Sequence, residues 1–279
     1  MAEGSPITVF GESEAETNCG SGTAIIGLEL DIAGERVSFR IGASEGQARL
    51  ADIVPPARAL STKLALAMLE KLRRDEELVP CCEGCSACCS YLTPLSVPEV
   101  FRLRQEILAM PTERGKKVFE SCLDAAQKIL DNRPEDSGVN ELTEENGQIQ
   151  VSGLGKWYAG LKQSCPFLSD GLCTVYEQRP IACREHMITG SASLCEAEWT
   201  DGSEVVRMPV SVLEALAQLT AELEQSSIEA VMLPLALPWA CENIERDEQR
   251  WPETVMVEQF VKIVKSMASK NSTAVVMSA

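Results

Sequence analysis

The chain has 279 residues, 45% hydrophobic and 5% aromatic, enough for a sizeable core built mostly from Leu, Val, Ile, Ala and Met. Asp and Glu number 42 against 25 Lys and Arg, a formal charge of −17 with no basic cluster to neutralise phosphates, which argues against a nucleic-acid groove. The longest apolar runs, such as "AVMLPLALPWA" at 230–240, are broken by prolines and too short for a bilayer, and the N-terminus lacks the pattern of a signal peptide, so no membrane association and a cytoplasmic location are expected.

Residues 1–22 are small, polar and acidic and read as a disordered tail. "GSGTAIIG" at 20–27 lacks the Gly-Lys-Ser/Thr ending of a phosphate loop and reads as a linker into a strand. A small β element is expected over 23–60, with two β-prone runs flanking Ala33-Gly34-Glu35 as a hairpin and "VPPAR" at 54–58 closing it. A domain built on cysteines follows over 61–200. Ser61 caps a helix to about Leu78, with Leu64, Ala65, Met68, Leu69 and Leu72 on one face and Pro80 as the stop. Ser96 caps a second helix, and after Pro111 a third runs to about Asn132. Residues 131–147 read as an exposed connection ending in Asn146-Gly147, leading "QIQVS" into a small hairpin. A C-terminal helical region, 201–279, is expected to pack on that domain through helices at 211–224, 236–246 and 252–269. The expected fold is mainly α with a small N-terminal β hairpin, its helices organised around a cysteine-rich metal centre.

Five cysteines crowd into "CCEGCSACC" at 81–89, in a chain with twelve. In a reducing compartment such density points to a metal site rather than to disulfides. Cys82, Cys85 and Cys88 are spaced C-x2-C-x2-C, and Cys89 follows directly. Two-residue gaps let tight turns aim successive sulfurs at one point, as zinc sites and iron–sulfur clusters both require. "CPFLSDGLCTVYEQRPIACREH" supplies a second half with Cys165, Cys173 and Cys183, and Cys195 makes an eighth sulfur. The vicinal pair Cys88-Cys89 either serves two sites or includes one packed thiol, because adjacent side chains diverge.

The string C-x2-C-x2-C-C at 82–89, with "CPFL", "CTVYEQRP" and "CRE" beyond it, resembles the CxxCxxCC cysteine-cluster family, described as zinc- or iron-chelating. The resemblance covers about 82–190. It implies Cys82, Cys85, Cys88, Cys89, Cys165, Cys173 and Cys183 as ligands, with Cys195 added as a plausible eighth. One branch of the family comprises flagellin lysine N-methylases, which the resemblance associates with an iron–sulfur cluster. Arg179 and Arg184 fall in the family motif. A guanidinium beside thiolates offsets their charge and can donate to sulfur or to a carboxylate; the alternative is a plain salt bridge to Glu177. Cys19, Cys81, Cys122 and Cys241 lie outside the motif and read as non-ligands. His186, the one histidine, reads as a ligand, a general base or a helix-surface residue, with the surface reading expected. Trp157, Tyr158 and Tyr176 read as core or as a pocket lining.

Three functions follow. The leading one is an iron–sulfur protein, redox-active or protein-modifying in a methyl-transfer-like way, with another protein as substrate or partner. The others are a zinc-stapled interaction module without catalysis, and metal storage or delivery. Ferredoxin-like ligation, with three sulfurs from one loop and a fourth from a distant Cys-Pro, favours iron–sulfur over zinc. No glycine-rich S-adenosylmethionine loop and no C-x3-C-x2-C is present.

Overall fold

In the computed structural model, which describes residues 7–10, 22–132, 151–195 and 205–276, the chain opens with three antiparallel strands. These are β1 (Thr8–Phe10), β2 (Thr23–Ile32) and β3 (Glu35–Ser44), in the order β1-β3-β2. The hairpin turns on Ala33 (φ 54°) and Gly34 (φ 87°), the pair of positive φ values that a two-residue primed turn needs. Pairing of Leu28 with Phe39 and Leu30 with Val37 puts one apolar face on the core. Thr8–Phe10 lies within the stretch read as a tail, and is instead held as an edge strand against Arg40–Gly42, with Ile7 buried before it; the other residues of 1–22 lie outside the described residues, Gly22 apart.

After β4 (Gln47–Ala48) comes α1 (Val54–Arg74). The helix begins seven residues before the expected Ser61, because Pro55 and Pro56 occupy its first turn, where a missing N–H leaves no intrahelical bond unmade. It also ends before Leu78, where Glu76 takes φ 61° and the Glu77 amide donates back to the Leu72 carbonyl at 2.9 Å. β5 (Pro94–Ser96) leads into α2 (Val97–Leu108), and α3 (Thr112–Asp131) follows. α4 (Val151–Gly160) replaces the hairpin expected at "QIQVS": residues 151–152 start a helix, and 148–150 lie outside the described residues. That helix is anchored by buried Tyr158 and by Trp157 Nε1, which donates to the Asn132 carbonyl at 3.1 Å.

β6 (Leu168–Ser169) and β7 (Leu172–Cys173) form a small hairpin, and α5 (Ile181–Glu185) and α6 (Val212–Glu224) follow. β8 (Ala230–Met232) pairs with β5. The helix expected over 236–246 is split into α7 (Ala236–Glu242) and α8 (Ile244–Asp247). Asn243 breaks it, its side-chain Nδ2 donating to the Trp239 carbonyl at 2.8 Å. β9 (Trp251–Pro252) pairs with β4, and α9 (Glu253–Val276) completes the chain.

The β2–β3 sheet rests on α1 and α9, while α2 packs against α3, α6 and α7. Phe101 of α2 meets Trp239 of α7 with ring centroids 5.6 Å apart. One apolar core runs from Leu28 and Ile41 through Leu60 and Phe101 to Leu216 and Phe260. Buried Glu253 joins the sheet to α9 by accepting from the Ser44 amide (2.8 Å) and hydroxyl (2.7 Å). Among the described residues no helix is long and apolar enough to cross a membrane.

Ser211 caps α6 as the sequence indicates, accepting from the Glu214 amide at 3.2 Å, and its hydroxyl donates to Glu185 at 3.0 Å. Ser211→Ala is expected to cost about 1 kcal/mol, the usual worth of such a cap, read as a lower urea midpoint with unchanged slope.

Candidate metal centre

Both cysteine segments leave helix ends and meet. The loop after α1 makes two tight turns: the Cys85 amide donates to the Cys82 carbonyl at 3.1 Å, and the Cys89 amide to the Ser86 carbonyl at 2.9 Å. The first turn needs Gly84, whose φ of 88° suits glycine alone among common residues at low cost. Leu172 of the β6–β7 hairpin is its nearest neighbour, at 3.9 Å from where a Cβ would stand. The Cys165 amide donates to the Cys89 carbonyl at 2.7 Å and locks the two segments together. Cys173 sits on β7, Cys183 on α5, and Cys195 ends a 3-10 turn (Ala192–Cys195) that packs on a second such turn at Ala87–Ser90.

All eleven described cysteines are free thiols; Cys19 lies outside the described residues. Cys88, Cys89, Cys165 and Cys183 stand within electrostatic reach of one another, and Cys173 within reach of Cys165 and Cys183. Cys82 and Cys85, with Cys88, influence Cys81. Cys195 is buried and reaches the group through Tyr91, whose hydroxyl donates to the Cys195 carbonyl and whose ring lies in the field of Cys195 and Cys88. Cys122 of α3 is buried within reach of Cys165, a neighbour that its helical setting in the sequence gives no sign of. Cys241 is exposed on α7.

The environment splits the vicinal pair. The Cys89 thiol donates to the Cys88 sulfur, which with the nearby Arg179 guanidinium pulls the Cys88 pKa down; the same bond and burial push Cys89 up. Burial raises Cys165 to about 11 and Cys183 further, the Thr93 hydroxyl bond to the Cys183 sulfur working against it. Thiols held neutral in this way must lose protons to bind a metal. Among the described residues no three His, Cys, Asp or Glu side chains are arranged to hold an ion as they stand. The donor set itself suits zinc or iron: soft sulfurs from two segments, half-buried, with a guanidinium at hand.

Arg179 stacks on Tyr176 with its guanidinium carbon 3.8 Å from the ring centre, and keeps its charge near Cys88. Arg184 turns toward α1. It donates to the Thr62 hydroxyl (2.9 Å), the Arg179 carbonyl (3.2 Å) and the Glu177 carbonyl, so its tie to Glu177 is to backbone and not to the carboxylate. Burial lowers its pKa to about 10.

A carboxylate that the motif does not contain holds α5 in place. Glu99 is fully buried; one oxygen takes the Ile181 amide at 2.8 Å, and the other takes the Ser96 amide (3.1 Å) and hydroxyl (2.9 Å). At the other end of α5, Glu185 accepts the Val212 amide at 2.7 Å, and burial raises its pKa to about 7. The five-residue helix that carries Cys183 is thus tied at both ends. The spacing Ser96-x2-Glu99 is a capping box and is legible in the sequence; the bond to Ile181 is not. His186 follows α5 directly. It is no surface residue at its ring tip, since Nε2 is buried without a hydrogen-bond partner.

Residues 81–202 match the model of the CxxCxxCC family, described as a "putative zinc- or iron-chelating domain". The match spans less than half of the chain but takes in both cysteine segments and the helices between them. It supports metal binding by the cysteine cluster. No curated protein and no solved structure matches the chain.

Proposed function

We propose that the chain is a metal-binding protein whose cysteine centre holds an iron–sulfur cluster. One observation carries the reading: Cys88, Cys89, Cys165 and Cys183 lie within electrostatic reach of one another, Cys173 lies within reach of Cys165 and Cys183, and Cys82 and Cys85 act with Cys88 on neighbouring Cys81. A single zinc ion takes four thiolates, so this supply suits a polynuclear centre. When bound, such a cluster supplies one-electron chemistry. The chain's own residues set its surroundings: Arg179 offsets thiolate charge beside Cys88, and Thr93 donates to the Cys183 sulfur. In this reading the protein works in a reducing, cytoplasmic setting, as a redox or protein-modifying enzyme acting on another protein.

Anaerobic purification followed by iron, zinc and acid-labile sulfide analysis tests the reading. Iron and sulfide in comparable amounts per chain, with a broad visible absorption band, are expected. Stoichiometric zinc without sulfide would remove the iron–sulfur assignment and favour a structural staple.

A further inference from the structure

Resting on the metal-centre reading above, one buried atom has no partner there. His186 Nε2 is shielded from solvent and makes no hydrogen bond. A buried polar atom is ordinarily satisfied by protein, water or an ion. The residue's position is fixed on two sides: its amide donates to the Ala182 carbonyl at 3.0 Å, closing α5 three residues after Cys183. Its ring meets the Tyr91 ring edge to face, with centroids 5.8 Å apart and planes at 81°.

Tyr91 links that imidazole to the cysteine segments. Its amide donates to the Cys88 carbonyl at 3.0 Å, its hydroxyl to the Cys195 carbonyl, and its side chain lies in the field of both sulfurs. His186, Cys88 and Cys195 are therefore all neighbours of Tyr91: one at its ring, one at its amide and one at its hydroxyl. Burial also disfavours the imidazolium, leaving the neutral ring that binds metals.

We infer that His186 is a nitrogen ligand of the metal centre, coordinating through Nε2 on the side of Cys88 and Cys195. The family motif supplies sulfur only, so this donor is an addition from the fold. It makes one position of the centre mixed nitrogen and sulfur, and it gives Cys195 a place beside the core thiols.

Stripping the anaerobically purified full chain of its bound metal and reloading it with Co(II) tests the assignment. X-ray absorption at the cobalt edge of the wild type is expected to show an imidazole nitrogen shell beside sulfur. In His186→Ala the nitrogen shell disappears and Co(II) binding weakens at least about tenfold, while His186→Cys keeps the metal with a larger sulfur shell. An all-sulfur shell in the wild type overturns the inference without needing any variant, and leaves the metal-centre reading standing. A nitrogen shell that survives in His186→Ala overturns it too. If the wild type takes up neither Co(II) nor any metal from the cell, the inference and the underlying reading both fall.

Discussion

Cys183→Ser is expected to lower bound metal at least about tenfold and to reduce the thermal midpoint, while most of the helical circular dichroism persists at room temperature. Cys183 lies on α5, between two buried carboxylate ties, and couples electrostatically to Cys165, Cys88 and Cys173. Losing it takes away a buried thiol of the second segment that couples to Cys88 of the first. Binding that favours the folded state adds about 4 kcal/mol when free metal stands a thousandfold above its dissociation constant. That stabilisation disappears with the metal. The rest of the fold does not rely on it: the apolar core joins the sheet, α1, α2, α6 and α9 without a cysteine bridge. Ligands distant in sequence suggest that metal removal would unfold much of the chain; with a continuous core the loss is expected to stay local to the cysteine loops. Cys241→Ser, on the exposed side of α7, is the control and should keep wild-type metal. Metal counts and melting curves on both variants decide the matter, and a Cys183→Ser protein with full metal would contradict the assignment of this thiol.

Glu99→Ala is expected to destabilise the protein by about 3–5 kcal/mol. The change strands the Ile181 and Ser96 amides in the interior, each at about 1–3 kcal/mol, and opens a cavity. Glu99→Gln should fall between, because its shape fits but its amide group faces hydrogen-bond donors. The pair also yields a pH signature. Burial raises the Glu99 pKa above its unfolded value, against the pull of the amides and of Arg58. The folded state therefore holds this proton more tightly, and stability associated with Glu99 is greatest below the unfolded carboxylate pKa. It is lost as pH rises through the folded value. Subtracting the Glu99→Gln stability from that of the wild type, by urea unfolding at several pH values, should leave a difference that falls with rising pH across that window. A difference flat in pH would mean that Glu99 titrates alike in both states.

What the sequence determines here is what neighbouring residues settle among themselves. Ala33-Gly34 specifies a hairpin because both positions take positive φ. Ser96 and Ser211 mark helix starts because each side chain reaches amides within three residues. The two-residue gaps around Gly84 and Ser86 make knuckles whatever lies elsewhere. Pro55-Pro56 shows the limit of local signals: the same dipeptide suits the end of one element or the first turn of the next, and packing of α1 on the sheet selects the latter. The assembly of the centre is wholly tertiary. The Cys165 amide finds Cys89 across 76 positions, and Glu99 finds Ile181 across 82. The fate of His186 is decided the same way. Exposure of a side chain depends on which distant segment covers it, and Tyr91, 95 residues earlier, lies against its ring. Spacing sets which thiols can turn toward a common point, but burial and partner choice arise only when separate segments exclude water together.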